Sequence, residues 1–418
     1  MQDKFLIKGG VNLSGEVEIA GYKNSAGACL SAVLLSKEPS IIDNLPLVSD
    51  VTDYIEILKR MGAQIEWIGE RKVKINPENI DPEKIPSELF EKMRISVLLI
   101  GPLLARFKKI KIPHPGGDKI GLRPISTHIQ ALKNLGVKVE EKDGFYHFEA
   151  PENMRGKRII LDEFSVTATE ILMMTAALIE GETKIELAAA EIQVQDLGNL
   201  LNKMGAEVKG IGTHTIKITG RKSLKGAEFK ICSDPLETGT FFIALALCGE
   251  GKIKNVDLEP LTSFLEKMKE IGVNFEENEN EIIVMPSKNF KATKIQVLPY
   301  PGFPTDLQPQ TSTLLTQAEG KSLIHDPLYE NRFQHLHELR KLGADIEITD
   351  PHRALIFGKK ELVGNKINTS DIRSGAALIL AALASKGETT IENISQIERG
   401  HENIEQKLKK LGAQIEKV

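Results

Sequence analysis

The sequence predicts an α/β protein of two similar domains, each made of three repeats about 70 residues long. A recurrent helix end, a recurrent buried helix and a pair of leftover N-terminal strands predict it. The helix end reads Leu58-Lys-Arg-Met-Gly-Ala, Leu132-Lys-Asn-Leu-Gly-Val, Leu201-Asn-Lys-Met-Gly-Ala, Met268-Lys-Glu-Ile-Gly-Val, Leu339-Arg-Lys-Leu-Gly-Ala and Leu408-Lys-Lys-Leu-Gly-Ala. Its glycines (Gly62, Gly136, Gly205, Gly272, Gly343, Gly412) are 74, 69, 67, 71 and 69 residues apart. Glycine supplies the left-handed residue that stops a helix, and an alternating strand such as Ala63-Gln-Ile-Glu-Trp follows.

A second element keeps the same period. Residues 25–36, 93–107, 166–179, 237–248, 306–318 and 371–384 start at or beside a polar residue and then run through small and apolar ones. Apolar character nearly all round suggests helices enclosed by other elements. Each repeat then reads strand, buried helix, strand, amphipathic helix and two-strand hairpin. The last one stops at Gln414-Ile-Glu-Lys-Val and lacks its second hairpin strand, while residues 4–8 and 15–20 read as orphan strands. The N-terminal strands are therefore expected to complete the last repeat. Domain one is then 23–232, carrying the loop 114–124. Domain two is 1–22 plus 233–418, with crossings near Gly21-Tyr22 and Cys232-Ser233. The alternative, a continuous six-repeat solenoid, needs polar terminal caps, and these ends are not polar caps.

Composition bounds the function. A net charge of -4 carries no basic excess, which argues against nucleic acid. Cys29, Cys232 and Cys248 are too few for a disulfide framework or metal site and read as thiols of a reducing compartment. An apolar leader and an 18-residue apolar run are both missing, so a cytoplasmic, non-membrane protein is expected.

Unusual polar residues gather at the starts of the buried helices and in the loops before the amphipathic ones. Helix starts suit anions, because their N–H groups lack partners. Lys23 stands at the first, although alone it reads as a solvated lysine. Arg94 opens the second, followed by His114-Pro-Gly-Gly-Asp-Lys-Ile-Gly-Leu-Arg-Pro-Ile-Ser-Thr-His128. Gly116, Gly117 and Gly121 give a loop that moves or admits close backbone approach, carrying Asp118 and Arg123. Neither a dinucleotide fingerprint nor a P-loop spacing is present. Later repeats add Asp234-Pro-Leu-Glu237, Phe303-Pro-Thr-Asp306, Glu330-Asn-Arg332, Asp371-Ile-Arg373 and Glu398-Arg399. Singly these are caps or ion pairs. Jointly they predict a cleft between two domains that grips a phosphorylated, multiply charged substrate.

Gly-Tyr-Lys-Asn at 21–24, Pro-Gly-Gly-Asp-Lys-Ile-Gly-Leu-Arg-Pro at 115–124, Glu-Thr-Gly-Thr-Phe at 237–241, Phe-Pro-Thr-Asp at 303–306, Glu-Asn-Arg-Phe at 330–333 and Asp-Ile-Arg at 371–373 occur in order. Over essentially the whole chain this resembles the UDP-N-acetylglucosamine 1-carboxyvinyltransferase family. The resemblance implies an inside-out α/β barrel of two three-repeat domains joined by a double crossover. It implies transfer of the enolpyruvyl group of phosphoenolpyruvate to the 3-hydroxyl of UDP-N-acetylglucosamine, the first committed step of peptidoglycan synthesis, without metal or organic cofactor. Carried over by position, Lys23, Asn24, Arg123 and Arg399 resemble the phosphoenolpyruvate contacts. Asn24, Arg94, Arg123, Pro124, Ile125, Ser126, Thr127, Glu163, Phe164, Ser165, Val166, Asp306 and Leu328 resemble the sugar-nucleotide contacts. Asp306 resembles the base, while Arg332, Asp371 and Arg373 match cleft-lining positions.

Three departures stand out. Asp118 occupies the position where most members carry the proton-donating cysteine. Aspartate can deliver a proton but cannot form the thioether through which the epoxide fosfomycin inactivates the cysteine enzymes, so insensitivity to fosfomycin is expected. Thr167 replaces a usual glycine at a helix start, and Gln193 replaces an acid found in many members. Two other readings stay open: a 5-enolpyruvylshikimate-3-phosphate synthase, and a non-catalytic UDP-sugar-binding paralogue. Oligomeric state is not readable from the sequence.

Overall fold

Among the described residues, six sheets match the six repeats. The computed structural model describes residues 3–117 and 120–418. All six repeat glycines have φ between 92° and 108°, the left-handed region that ends each amphipathic helix. Those helices are Ser49–Arg60, Ser126–Asn134, Ile192–Lys203, Thr262–Ile271, Gln334–Lys341 and Ile404–Lys410.

Apart from Glu228–Lys230, which precedes the fourth buried helix but pairs with Ser40–Asp43 of the first repeat, the repeat pattern holds with two exceptions. Phe5–Lys8 does complete the sixth repeat, lying antiparallel between Glu388–Glu392 and Gln414–Lys417 with Ile7 opposite both Thr389 and Ile415. Glu16–Glu18 does not join it, which corrects the expectation for the second N-terminal strand. That strand runs parallel to Gly251–Lys254 in the fourth repeat. Leu13 is the cause: it is fully buried, and its N–H donates to Cys248 O at 2.8 Å, turning the chain onto the neighbouring sheet. The second exception is the second repeat, whose sheet has three strands and no leading parallel one. Pro77, Pro82 and Pro86 fall there and cannot donate to a ladder, and the segment folds instead as a short turn and the helix Ser87–Phe90.

The chain divides into two compact units. One contains 21–117 and 123–232; its inner helices are Lys23–Ala32, Ile100–Phe107 and Val166–Ala176, the second entered through the 3-10 turn Arg94–Leu99. The other contains 3–20, 120–122 and 233–418; its inner helices are Pro235–Cys248, Gln308–Leu315 and Ile372–Ala384. These last three pack on one another, with hydrogen bonds inside the bundle: Gln310 Nε2 donates to Thr240 Oγ1 at 3.3 Å and Thr313 Oγ1 to Ala377 O at 3.1 Å. The boundaries differ from the expected ones at two places. Gly21 and Tyr22 group with 123–232, since Tyr22 N–H donates to Cys232 O at 2.9 Å. Residues 120–122 group with 233–418, where Ile120 O accepts from Asn331 N–H at 3.1 Å. Among the described residues, no helix is long and apolar enough to cross a membrane.

Candidate functional site

In the unit holding 21–117 and 123–232, Lys23 is the first residue of its helix and only 9% exposed. A buried ammonium needs a counter-charge, and Asp50 provides it, with Nζ to Oδ2 at 2.9 Å. The solvated reading of Lys23 is thereby corrected. Asp50 itself carried no sequence signal beyond that of a helix-start acid. Asn24 Nδ2 donates to the Tyr22 hydroxyl at 2.9 Å, which orients the amide at the same helix start.

Arg94 Nη2 donates to Pro124 O at 3.1 Å, tying the start of one inner helix to the segment that opens Ser126–Asn134. A side chain at Gly117 would place its Cβ 2.8 Å from Arg94 Cβ and 3.5 Å from Arg123 Nη1, so the glycine lets the loop pass against both arginines. Asp118 lies outside the described residues. Thr127 Oγ1 donates to Glu163 Oε1 at 2.9 Å, and Ser165 caps Val166–Ala176 by accepting from Ala168 N–H at 3.4 Å. The helix starts at Ser126 and Val166 are thus linked. Phe164, 44% exposed, sets its ring edge-on to His214 at 4.7 Å. Ile125 is buried, whereas Pro124 and Ser126 are exposed.

His128, not singled out by the sequence, is buried beside these groups. Burial, with help from the charges of Arg94 and Arg123, pushes it down to about 3, so it is neutral near pH 7.

In the other unit, Asp306, Arg332, Asp371 and Arg373 form one network. Asp306, in the turn Thr305–Leu307, accepts from Arg332 Nη2 at 2.5 Å and from Arg373 Nε at 3.1 Å. Arg332 Nη1 lies 3.8 Å from Asp371 Oδ1, and Asp371 caps Ile372–Ala384 by accepting from Arg373 N–H at 3.0 Å and Ser374 N–H at 3.1 Å. Burial opposes ionisation of Asp371, but Arg332 and the cap bonds outweigh it and hold its pKa below the ordinary carboxylate value. Asp326, missed by the sequence reading, accepts from Thr305 Oγ1 at 2.7 Å and from Leu328 N–H at 3.1 Å; burial raises its pKa. Leu328 is 42% exposed. Arg399 caps the short helix Ser395–Glu398 and donates to Gln396 Oε1 at 3.1 Å.

The arrangement can bind anions at helix starts backed by arginine and lysine, and can hold an ionised carboxylate between guanidiniums. Among the described residues, no group of three or more His, Cys, Asp or Glu could hold a metal ion.

This fold is that of the enolpyruvyl transferases. The solved enolpyruvyl transferase NikO from Streptomyces tendae superposes with a TM-score of 0.91 at 24% identity, over 100% of this chain and 99% of that one. The family model described as EPSP synthase (3-phosphoshikimate 1-carboxyvinyltransferase) matches residues 7–408. A UDP-N-acetylglucosamine 1-carboxyvinyltransferase from Halothermothrix orenii is 45% identical over 416 residues, 99% of either chain. One from Coxiella burnetii is 42% identical over 418 residues, 100% of this chain and 96% of that one. The chain belongs to the EPSP synthase family and, within it, to the UDP-N-acetylglucosamine 1-carboxyvinyltransferases.

Proposed function

We propose that the chain transfers the enolpyruvyl group of phosphoenolpyruvate to the 3-hydroxyl of UDP-N-acetylglucosamine, releasing phosphate, as the first committed step of peptidoglycan synthesis. The observation that carries this is full-length identity of 42–45% to relatives named for that reaction. A cytoplasmic location suits both soluble substrates.

The reaction is an addition followed by an elimination. Asp118 gives a proton to the methylene carbon of phosphoenolpyruvate, and C2 becomes electrophilic. Asp306 takes the proton of the sugar 3-hydroxyl, whose oxygen bonds to C2 and forms a tetrahedral ketal. The C2–phosphate bond then breaks, the phosphate leaving with the proton that Asp306 took, the Asp118 carboxylate takes back a methyl proton, and the enol ether and inorganic phosphate result. Lys23, Arg123 and Arg399 offset the charge of phosphate and carboxylate, a contribution of several kcal/mol in such sites. Arg94, Ser126, Thr127 and Val166 hold the sugar nucleotide. Supporting the role of Asp306 is its pairing with Arg332 and Arg373, which fixes both carboxylate oxygens and so the direction from which a hydroxyl approaches.

Phosphate release with phosphoenolpyruvate and either UDP-N-acetylglucosamine or shikimate 3-phosphate tests the reading. Release with the sugar nucleotide alone is expected. Release only with shikimate 3-phosphate would transfer the chain to the activity for which the family model is named. Binding of the sugar nucleotide without release would make it a non-catalytic paralogue.

A further inference from the structure

His128 and Thr167 stand outside the binding set assigned above, yet they join the two helix starts given to the sugar nucleotide. We infer that Thr167, held by His128, is a positioning residue for UDP-N-acetylglucosamine, acting through the first turn of Val166–Ala176. The inference rests on the function proposed above.

The geometry is local. His128 is the third residue of Ser126–Asn134 and 3% exposed; Thr167 is the second residue of Val166–Ala176. His128 Nε2 and Thr167 Oγ1 are hydrogen-bonded at 2.7 Å. The adjoining pair, Thr127 Oγ1 to Glu163 Oε1 at 2.9 Å, links the same two starts, so they are tied twice.

A hydroxyl in the first turn of a helix usually turns back on its own backbone. Thr169 does this, donating to Ser165 O at 2.8 Å. Thr167 reaches across to the imidazole instead. The N–H groups of Val166 and Thr167 belong to the first turn and have no carbonyl within their own helix. They are the donors an anionic group meets at a helix start.

The tie holds the Thr167 side chain, and through it the first turn of Val166–Ala176, against Ser126–Asn134. The donors then keep one shape and one approach. A glycine at this position would offer no atom for such a tie. His128 is suited to the task because burial and the neighbouring arginines keep it neutral. It orders the turn without adding a charge to the site, and the positive charge comes from Arg94 and Arg123.

The test compares the unaltered protein with Thr167→Ser, Thr167→Val, His128→Phe and the Val/Phe double variant. It reads KM for each substrate, kcat, and the unfolding midpoint. Loss of one buried hydrogen bond predicts a rise of about three- to tenfold in KM for UDP-N-acetylglucosamine in Thr167→Val and in His128→Phe. The double variant is expected to be no worse than either single one, because both remove the same bond. KM for phosphoenolpyruvate should stay put, and Thr167→Ser should behave like the unaltered protein. A general structural role would move both KM values together.

An unchanged sugar-nucleotide KM in folded Thr167→Val overturns the inference, as does a parallel rise in both constants or an additive double variant. Should His128→Phe fail to fold, the Ser and Val variants of Thr167 decide by themselves. Should the unaltered protein release no phosphate with UDP-N-acetylglucosamine, the proposed function fails separately. Calorimetric titration of the same variants with UDP-N-acetylglucosamine then decides the positioning claim: a severalfold loss in Thr167→Val upholds it, and equal affinity ends it.

Discussion

Arg332, 2% exposed, donates to Asp306 Oδ1 at 2.5 Å, so the carboxylate assigned as base is held by a guanidinium that has almost no water of its own. Asp306 and Asp371 keep this buried arginine charged against the pull of burial. Removing the cation leaves two carboxylates short of a partner. Arg332→Ala is expected to lower stability by about 3–5 kcal/mol, measured by urea unfolding. Asp306→Asn should keep the fold and lower kcat about 10²- to 10⁴-fold; a fully active Asn variant would remove Asp306 from the base role.

The Lys23–Asp50 pair makes a different prediction. Asp50→Asn keeps the shape but leaves the Lys23 ammonium without its buried counter-charge. KM for phosphoenolpyruvate should rise about tenfold as Lys23 loses its fixed position, with a smaller effect on the sugar nucleotide. Steady-state kinetics with each substrate varied in turn measures the split.

Asp118 is tested by chemistry. Asp118→Asn should lose turnover by about 10²-fold or more. Asp118→Cys should recover activity and become sensitive to fosfomycin, to which the unaltered chain is expected to be indifferent. Time-dependent loss of activity of the unaltered chain on incubation with fosfomycin would remove Asp118 as proton donor.

His335 sets a pH dependence of stability. It is fully buried, donates from Nδ1 to Arg332 O at 3.2 Å, and is pushed down to about 3 by burial. The unfolded chain takes up a proton near pH 6.5 that the folded chain refuses until about pH 3. Between these values the unfolded state binds more protons, so stability falls as the pH is lowered. Two pH units inside that window correspond to about 2–3 kcal/mol. His335→Phe should flatten the unfolding free energy between pH 6.5 and 4.5 by about that amount, followed by urea titration at each pH.

The architecture was legible because it repeats. Six glycines in one local context signal six helix ends, whatever packs around them, and all six have the required φ. Gly15–Ala20 was misassigned because a short alternating strand fits the edge of any sheet; the choice is made by Leu13, one buried residue in the preceding turn. The second repeat's missing strand was readable in principle from its prolines. Among the candidate residues, Lys23, Asp306, Arg332, Asp371 and Arg373 are picked out by motif order. Their partners could not: Asp50 sits 27 positions from Lys23 and looks like any acid at a helix start. His128 carries no signal of its own, because nothing in its neighbours in sequence announces Thr167, 39 positions away.

Lys4 and Val418 exchange both backbone bonds, N–H to O at 3.0 and 2.9 Å, beside the strand Phe5–Lys8 that the last repeat borrows. On the ribosome that strand emerges long before its partners Glu388–Glu392 and Gln414–Lys417 and must wait for them. The stretch 21–232, by contrast, has its ladders filled once Glu228–Lys230 is available to Ser40–Asp43. Maturation is thus ordered: the lobe made from 21–232 can close early, and the other only after Gln414–Lys417 has been made.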